Sequence, residues 1–186
     1  MLFRSVRLDT VLTRLSRRVP LRRVGYILKP EPPAFPSFSG ERRAHWQRAG
    51  AAEPSLGIRL WVKGERYPGA SIPALEAAQA ARRQGDEASE TFHFGLFRAF
   101  LVENRDISDR AALEEVAATC GLDLHRFTVD INDPTVKEAV YAEHLEAVDR
   151  YQVEAVPKII IGEERIEGAA PPAVYEMALA RFAADA

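Results

Sequence analysis

At 186 residues, with 47% apolar and 28% charged side chains, the chain is long enough for one domain with a proper core and marginal for two. No apolar run approaches the length needed to span a bilayer, which excludes membrane insertion, and the single cysteine excludes an intramolecular disulfide framework or a cysteine-based zinc cluster. The charges nearly cancel, 25 Lys plus Arg against 27 Asp plus Glu, yet residues 1–48 hold 11 basic and 3 acidic side chains and the remainder sums to -10. That asymmetry reads as a basic first helix lying near acidic later helices, with an anion-facing surface as the alternative.

The first segment, MLFRSVRLDTVLTRLSRRV, is Arg-rich and acid-poor like a mitochondrial transit peptide, but Val11, Leu12, Leu15 and Val19 recur at helical spacing and predict a structural helix. Pro20 ends it, and Leu21 to Leu28, with Val24, Tyr26 and Ile27, predicts a first strand. Prolines at 30, 32, 33 and 36 deny backbone donors to any sheet and impose an extended loop. A short helix around Glu41 to Ala49 carries Trp46, and an irregular stretch follows with Trp61 and the turn Tyr67-Pro68-Gly69. Ser71 as N-cap, Pro73 in the first turn and Gly85 as stop bound an Ala-rich helix. The next runs from about Glu87 to Glu103, its Phe92, Leu96, Phe97, Phe100 and Leu101 implying a core between helices. Ser108 caps a third helix ending at Gly121; Leu124 to Ile131 forms a short helical turn; Asp133-Pro134 starts a fourth helix reaching about Tyr151. Lys158 to Ile161 then predicts a strand, Gly162-Glu163-Glu164 a turn, Arg165 to Glu167 the returning strand of a hairpin, and Pro171-Pro172 a final helix with Val174, Met177, Ala178 and Phe182. The order is helix, strand, a block of helices, hairpin, helix: an α/β core interrupted by a helical insertion.

Little of the usual chemistry is on offer. Cys120 sits at helical spacing from Leu113, Val116 and Ala117 and reads as a small packing residue. His45, His93, His125 and His144 show no spacing that sets two on one helix face with a third ligand, so no metal site is expected. Arg14, Arg17, Arg18, Arg22 and Arg23 lack the aromatic platform of a nucleic-acid module and read as a solvated face.

Three stretches carry a resemblance: Tyr67-Pro68 with SIPALEAAQAARRQG; FHFGLFRAFLVENRDISD with ATCGLD; and VEAVPKIIIG with GAAPPAVYEMAL. Together, over about residues 20–183, the chain resembles the DsbA-like thioredoxin-fold superfamily, in the cytoplasmic branch of disulfide oxidoreductases, 2-hydroxychromene-2-carboxylate isomerases and kappa-class glutathione transferases. The resemblance implies a single domain over 1–186, with about 1–30 and 152–186 as thioredoxin core and about 40–150 as mainly helical insertion and connecting helices. It implies a cytoplasmic protein acting on peptide or protein thiols or on glutathione as cosubstrate, with no metal and no other cofactor, no nucleic acid and no membrane; a homodimer is left open. Val156 and Pro157 are the site residues it supplies: the bond, cis in relatives, faces the reactive thiol and leaves the Val156 backbone to pair with bound peptide or glutathione.

The departure lies at the other wall of that site. Relatives place a Cys-x-x-Cys, or a Ser in the isomerase-like branch, at the amino end of helix one, where the helix dipole stabilises a thiolate; here that position falls near residues 1–4, which read Met-Leu-Phe-Arg. The first strand and the motif are both missing, as though the chain begins inside helix one, and a truncated or misassigned start is the expectation over a member that has lost redox chemistry. Met1 to Ser5 partly filling the gap, and Ser5 standing in for the isomerase serine, are the alternatives. Lys158 stands where relatives commonly carry Thr, and Ala170 where Gln is usual, so contacts to glutathione or peptide there are in doubt. The leading expectation is a thiol–disulfide oxidoreductase-like domain whose redox motif is absent from this chain; a glutathione-dependent isomerase or transferase and a non-enzymatic peptide-binding module are the others.

Overall fold

The structure, a computed structural model, describes residues 8, 11–12, 19–31, 40–62, 64–168 and 170–184, with side chains from 40, 41 and 184 left aside. Met1 to Ser5, Arg14, Arg17, Arg18 and the prolines at 32, 33 and 36 lie outside the described residues. The chain divides into two compact units, Met1–Val24 with Ala147–Ala186, and Gly25–Glu146.

The Gly25–Glu146 unit is helical: Gly40–Ala52, a 3-10 turn Pro54–Leu56, then Ile72–Arg82, Asp86–Leu101, Arg110–Thr119, Leu124–Ile131 and Pro134–Leu145, the last running into a π-turn at Glu146–Arg150. Ile72–Arg82 touches four other helices of the unit. Its alanines permit this: Ala77, Ala80 and Ala81 are fully buried, and a methyl side chain lets helix axes approach closely. Around them pack Phe92, Leu96, Leu113, Val116, Phe127 and Ile131, with the Phe92 and Phe127 rings tilted at 5.5 Å. Gly95 sets the approach of Asp86–Leu101 to the end of Arg110–Thr119: a Cβ there would lie 2.4 Å from Cys120 Sγ and 3.2 Å from Val116 Cγ1. A second cluster is aromatic, with Trp46, Trp61, Tyr67 and Phe100 in mutual contact.

Aspartates start three of these helices. Asp109, Asp123 and Asp133 accept from the N–H groups of Ala111, Arg126 and Thr135, satisfying donors that the helices leave open. Two expected caps therefore shift. Ser108 does not cap the third helix, because its hydroxyl is engaged with Asp106 Oδ1 and with the Gly69 N–H. Ser71 occupies the N-cap position, but its hydroxyl accepts from the Lys29 N–H at 2.9 Å instead of from its own helix.

The strand expected over Leu21 to Leu28 does not form. A strand needs a neighbour to take its backbone groups, and side chains take them here: the N–H groups of Gly25, Ile27 and Lys29, at alternate positions, donate to Glu143 Oε2 at 2.7 Å, His144 Nδ1 at 3.3 Å and Ser71 Oγ at 2.9 Å. β-like residue types are present, but the partner is helical.

In the other unit, β1 (Lys158–Ile161) and β2 (Glu164–Glu167) pair antiparallel with Ile159 opposite Ile166 and Ile161 opposite Glu164. Gly162, at φ 58°, makes the tight turn, with Phe182 against it: a Cβ there would lie 3.0 Å from the Phe182 ring. Ile161 and Ile166 face a core of Leu8, Val11, Ala170, Tyr175, Ala178 and Leu179. Leu8, Val11 and Leu12 are helical, as the first segment's spacing predicts. The final helix, Pro172–Ala184, buries Tyr175, Ala178 and Leu179 and exposes Val174, Met177 and Phe182. Among the described residues the sheet has these two strands only.

Candidate functional site

The loop between the π-turn and β1 is pinned at several points. Val153 N–H donates to Ala147 O at 2.9 Å. Gln152 holds φ at 51°, a conformation uncommon for a residue with a side chain. It is fixed twice, its carbonyl accepting from Lys158 Nζ at 2.9 Å and its amide oxygen from Arg165 at 3.3 Å. Pro157 O accepts from Gly168 N–H at 3.0 Å, closing the base of the hairpin. The Val156–Pro157 bond is cis. Both residues are half-buried. Among the described residues nothing engages the N–H or the C=O of Val156.

Beside this loop lies a cavity of about 540 Å³ lined by Val148, Gln152, Val153, Glu154, Lys158, Arg165 and Glu167. Lys158, immediately after the proline, is 5% exposed in its side chain and spends its ammonium on Gln152 O and on Glu167 at 3.0 Å. It closes the loop onto the hairpin. Ala170 is also structural, buried with its N–H donating to the Tyr175 hydroxyl at 3.4 Å. Gln152 was invisible in the sequence, since its importance comes from a backbone angle and two partners that no local pattern announces.

The remaining candidates are not brought to this loop. Cys120 follows the Arg110–Thr119 helix with Sγ donating to Thr91 O at 3.5 Å, and burial pushes its thiol pKa up, away from the thiolate that exchange chemistry requires. His144 accepts the Ile27 N–H and meets the Tyr26 ring edge-on at 5.0 Å. Among the described residues no group of three His, Cys, Asp or Glu is arranged to hold a metal ion.

A pinned loop ending in Val-Pro, a β-hairpin and a closing helix together make the second half of a thioredoxin-like fold. The chain belongs to the family of DSBA-like thioredoxin domains, matching it over residues 46–180. It is 31% identical over 106 residues to the uncharacterized protein YwbO of Bacillus subtilis, an alignment covering 50% of this chain and 53% of that protein, so the chain spans about half the length of the curated relative it matches. Its fold is similar to a probable DsbA oxidoreductase from Streptomyces coelicolor (TM-score 0.79, 18% identity, 100% of this chain and 85% of that one). It is similar also to the cytosolic disulfide reductase DsbM from Pseudomonas aeruginosa, solved with GSH (TM-score 0.64, 18% identity, 98% and 90%). The chain is thus a DSBA-like thioredoxin-domain protein, and with one cysteine it carries no Cys-x-x-Cys.

Proposed function

We propose that this chain supplies the substrate-holding wall of a DsbA-type site: the Val156 backbone pairs with an extended thiol- or disulfide-bearing peptide, or with glutathione, and no thiol of this chain exchanges with it. One observation carries the reading. Val156 is half-buried, its N–H and C=O engage nothing among the described residues, and an extended peptide offers the complementary acceptor and donor, as in strand addition. Lys158 and Gln152 hold the loop in place without blocking those groups. Glutathione is favoured by the DsbM neighbour solved with GSH. A cytoplasmic setting is supported by the single cysteine and by the same cytosolic neighbour; no helix among the described residues is long and apolar enough to cross a membrane. Residues 1–186 act in this reading as one DsbA-like domain.

Two assays on the 186-residue chain test it. Insulin reduction should not rise above the reductant background. Calorimetric titration with reduced glutathione and with a short cysteine-containing peptide should give saturable heat for at least one of them. Turnover of insulin by this chain, or silence toward both ligands at millimolar concentration, would overturn the proposal.

A further inference from the structure

We infer that the outer edge of β1 binds an extended α-peptide as an added strand, continuing the pairing at Val156 through Lys158 and Ile160. The inference rests on the Val156 reading and names its substrate class: a peptide of several α-linked residues, with aliphatic and polar side chains alternating. The whole edge lies within the unit formed by Met1–Val24 and Ala147–Ala186.

The register of the hairpin decides which groups are open. Residue pairs along two antiparallel strands alternate between exchanging both backbone bonds and exchanging none. Gly168 N–H donates to Pro157 O at 3.0 Å, so the bonding pairs inside the hairpin are Ile159 with Ile166 and Ile161 with Glu164. The backbone groups of Lys158 and Ile160 therefore point away from β2. Among the described residues nothing engages the N–H or the C=O of either one, and no third strand joins the sheet. Open donors and acceptors at strand spacing are complementary to another strand.

The two faces of this edge ask for different side chains. Successive residues of a strand point to opposite faces. Ile159 and Ile161 share the face of Ile166, and Ile159 is half-buried against the cluster of Leu8, Val11, Tyr175 and Leu179. An aliphatic side chain laid beside Ile159 extends that cluster across the edge. Lys158 and Ile160 share the other face with Glu167 and Arg165. On that face lies the cavity of about 540 Å³, whose lining includes Gln152, Glu154, Arg165 and Glu167. A polar side chain finds both room and hydrogen-bond partners there.

The occupant follows from the size of the edge. β1 has four residues, which offer far less than the roughly 1,000 Å² that a stable association of two copies buries, but which suit a short peptide held by main-chain bonds. Glutathione has a single α-peptide bond, so it engages Val156 without running along β1.

The test is a ¹H–¹⁵N titration of the full chain with three ligands: a capped peptide of about seven residues alternating valine and threonine around a central cysteine, its central tripeptide, and reduced glutathione. The long peptide should bind about ten-fold or more tightly than the tripeptide or glutathione, and it alone should move the Lys158 and Ile160 amides together with Val156. Ile160→Pro removes the outward N–H while breaking no bond of the hairpin. It should bring the long peptide down to the affinity of the tripeptide and leave the tripeptide unchanged. The wild-type length series decides the inference by itself. A long peptide that binds no better than the tripeptide, with Val156 moving and Lys158 and Ile160 fixed, would overturn the inference and leave the Val156 reading standing. Silence toward all three ligands would overturn both. Shifts of Lys158 and Ile160 with protein concentration alone would put a second copy of the chain on the edge and overturn the peptide assignment.

Discussion

The two units differ in how their loops are tied. In Gly25–Glu146 aspartates cap three helices, Glu143, His144 and Ser71 take the N–H groups of 25, 27 and 29, and Arg83 bridges to Asp130 and Asp133, while the buried Trp61 Nε1 and Asn104 Oδ1 keep no hydrogen-bond partner among the described residues. In the hairpin unit the loop is pinned at Gln152, Lys158 and Pro157, and among the described residues Val156 between them is left open. A pinned loop around an open Val156 fits the proposed binding edge, since ordering the loop has already been done before a ligand arrives.

If that contrast is right, damage to the helical core should cost stability, and damage near Val156 should cost binding. The largest effect is expected from Phe92→Ala. Phe92 is fully buried against Phe127, and its loss should destabilise the protein by about 3–5 kcal/mol in urea unfolding. Gly95→Ala comes next at about 1–3 kcal/mol, because the new Cβ overlaps Cys120 Sγ. Adding Cys120→Ala should recover part of that loss, and a double-mutant cycle reads the coupling. Tyr175→Phe should cost about 1 kcal/mol by removing the hydroxyl that accepts the Ala170 N–H, while glutathione or peptide heats stay unchanged.

The smallest effect is a pH dependence. Asp133 has its pKa held down to about 2 by the hydrogen bond from Arg83, then by the Thr135 N–H and hydroxyl. A depressed carboxylate stabilises fully above its unfolded value, near 3.8, and that contribution fades as the pH falls through about 2. Asp133 is exposed, so salt screens the Arg83 pairing. The melting difference between wild type and Asp133→Asn should be present at pH 7 and should shrink toward pH 2. A difference unchanged across that range would mean that the charge contributes nothing.

Much of this was legible beforehand, for identifiable reasons. Val-Pro, the β-branched run Lys158 to Ile161 and Gly162 reported the hairpin because turn glycine and strand residues act locally. Asp133-Pro134 reported its helix for the same reason. The segment 21–28 misled because a strand is a property of two segments, and its alternate N–H groups were claimed by side chains from Glu143 and His144, more than a hundred residues away in sequence. The final helix was legible as a helix but not in its orientation, because it carries two apolar sets, Val174 with Met177 and Tyr175 with Ala178 and Leu179, and periodicity cannot choose which faces the core. Gln152 was silent, since a backbone angle leaves no mark in composition.

The amide of Val156 tests the central claim most directly. In a ¹H–¹⁵N titration with reduced glutathione or a cysteine-containing peptide, the Val156 resonance should move saturably while those of Phe92 and Leu113 stay fixed. A Val156 resonance that does not move at millimolar concentrations of either ligand would contradict the claim that this loop is the substrate-holding wall.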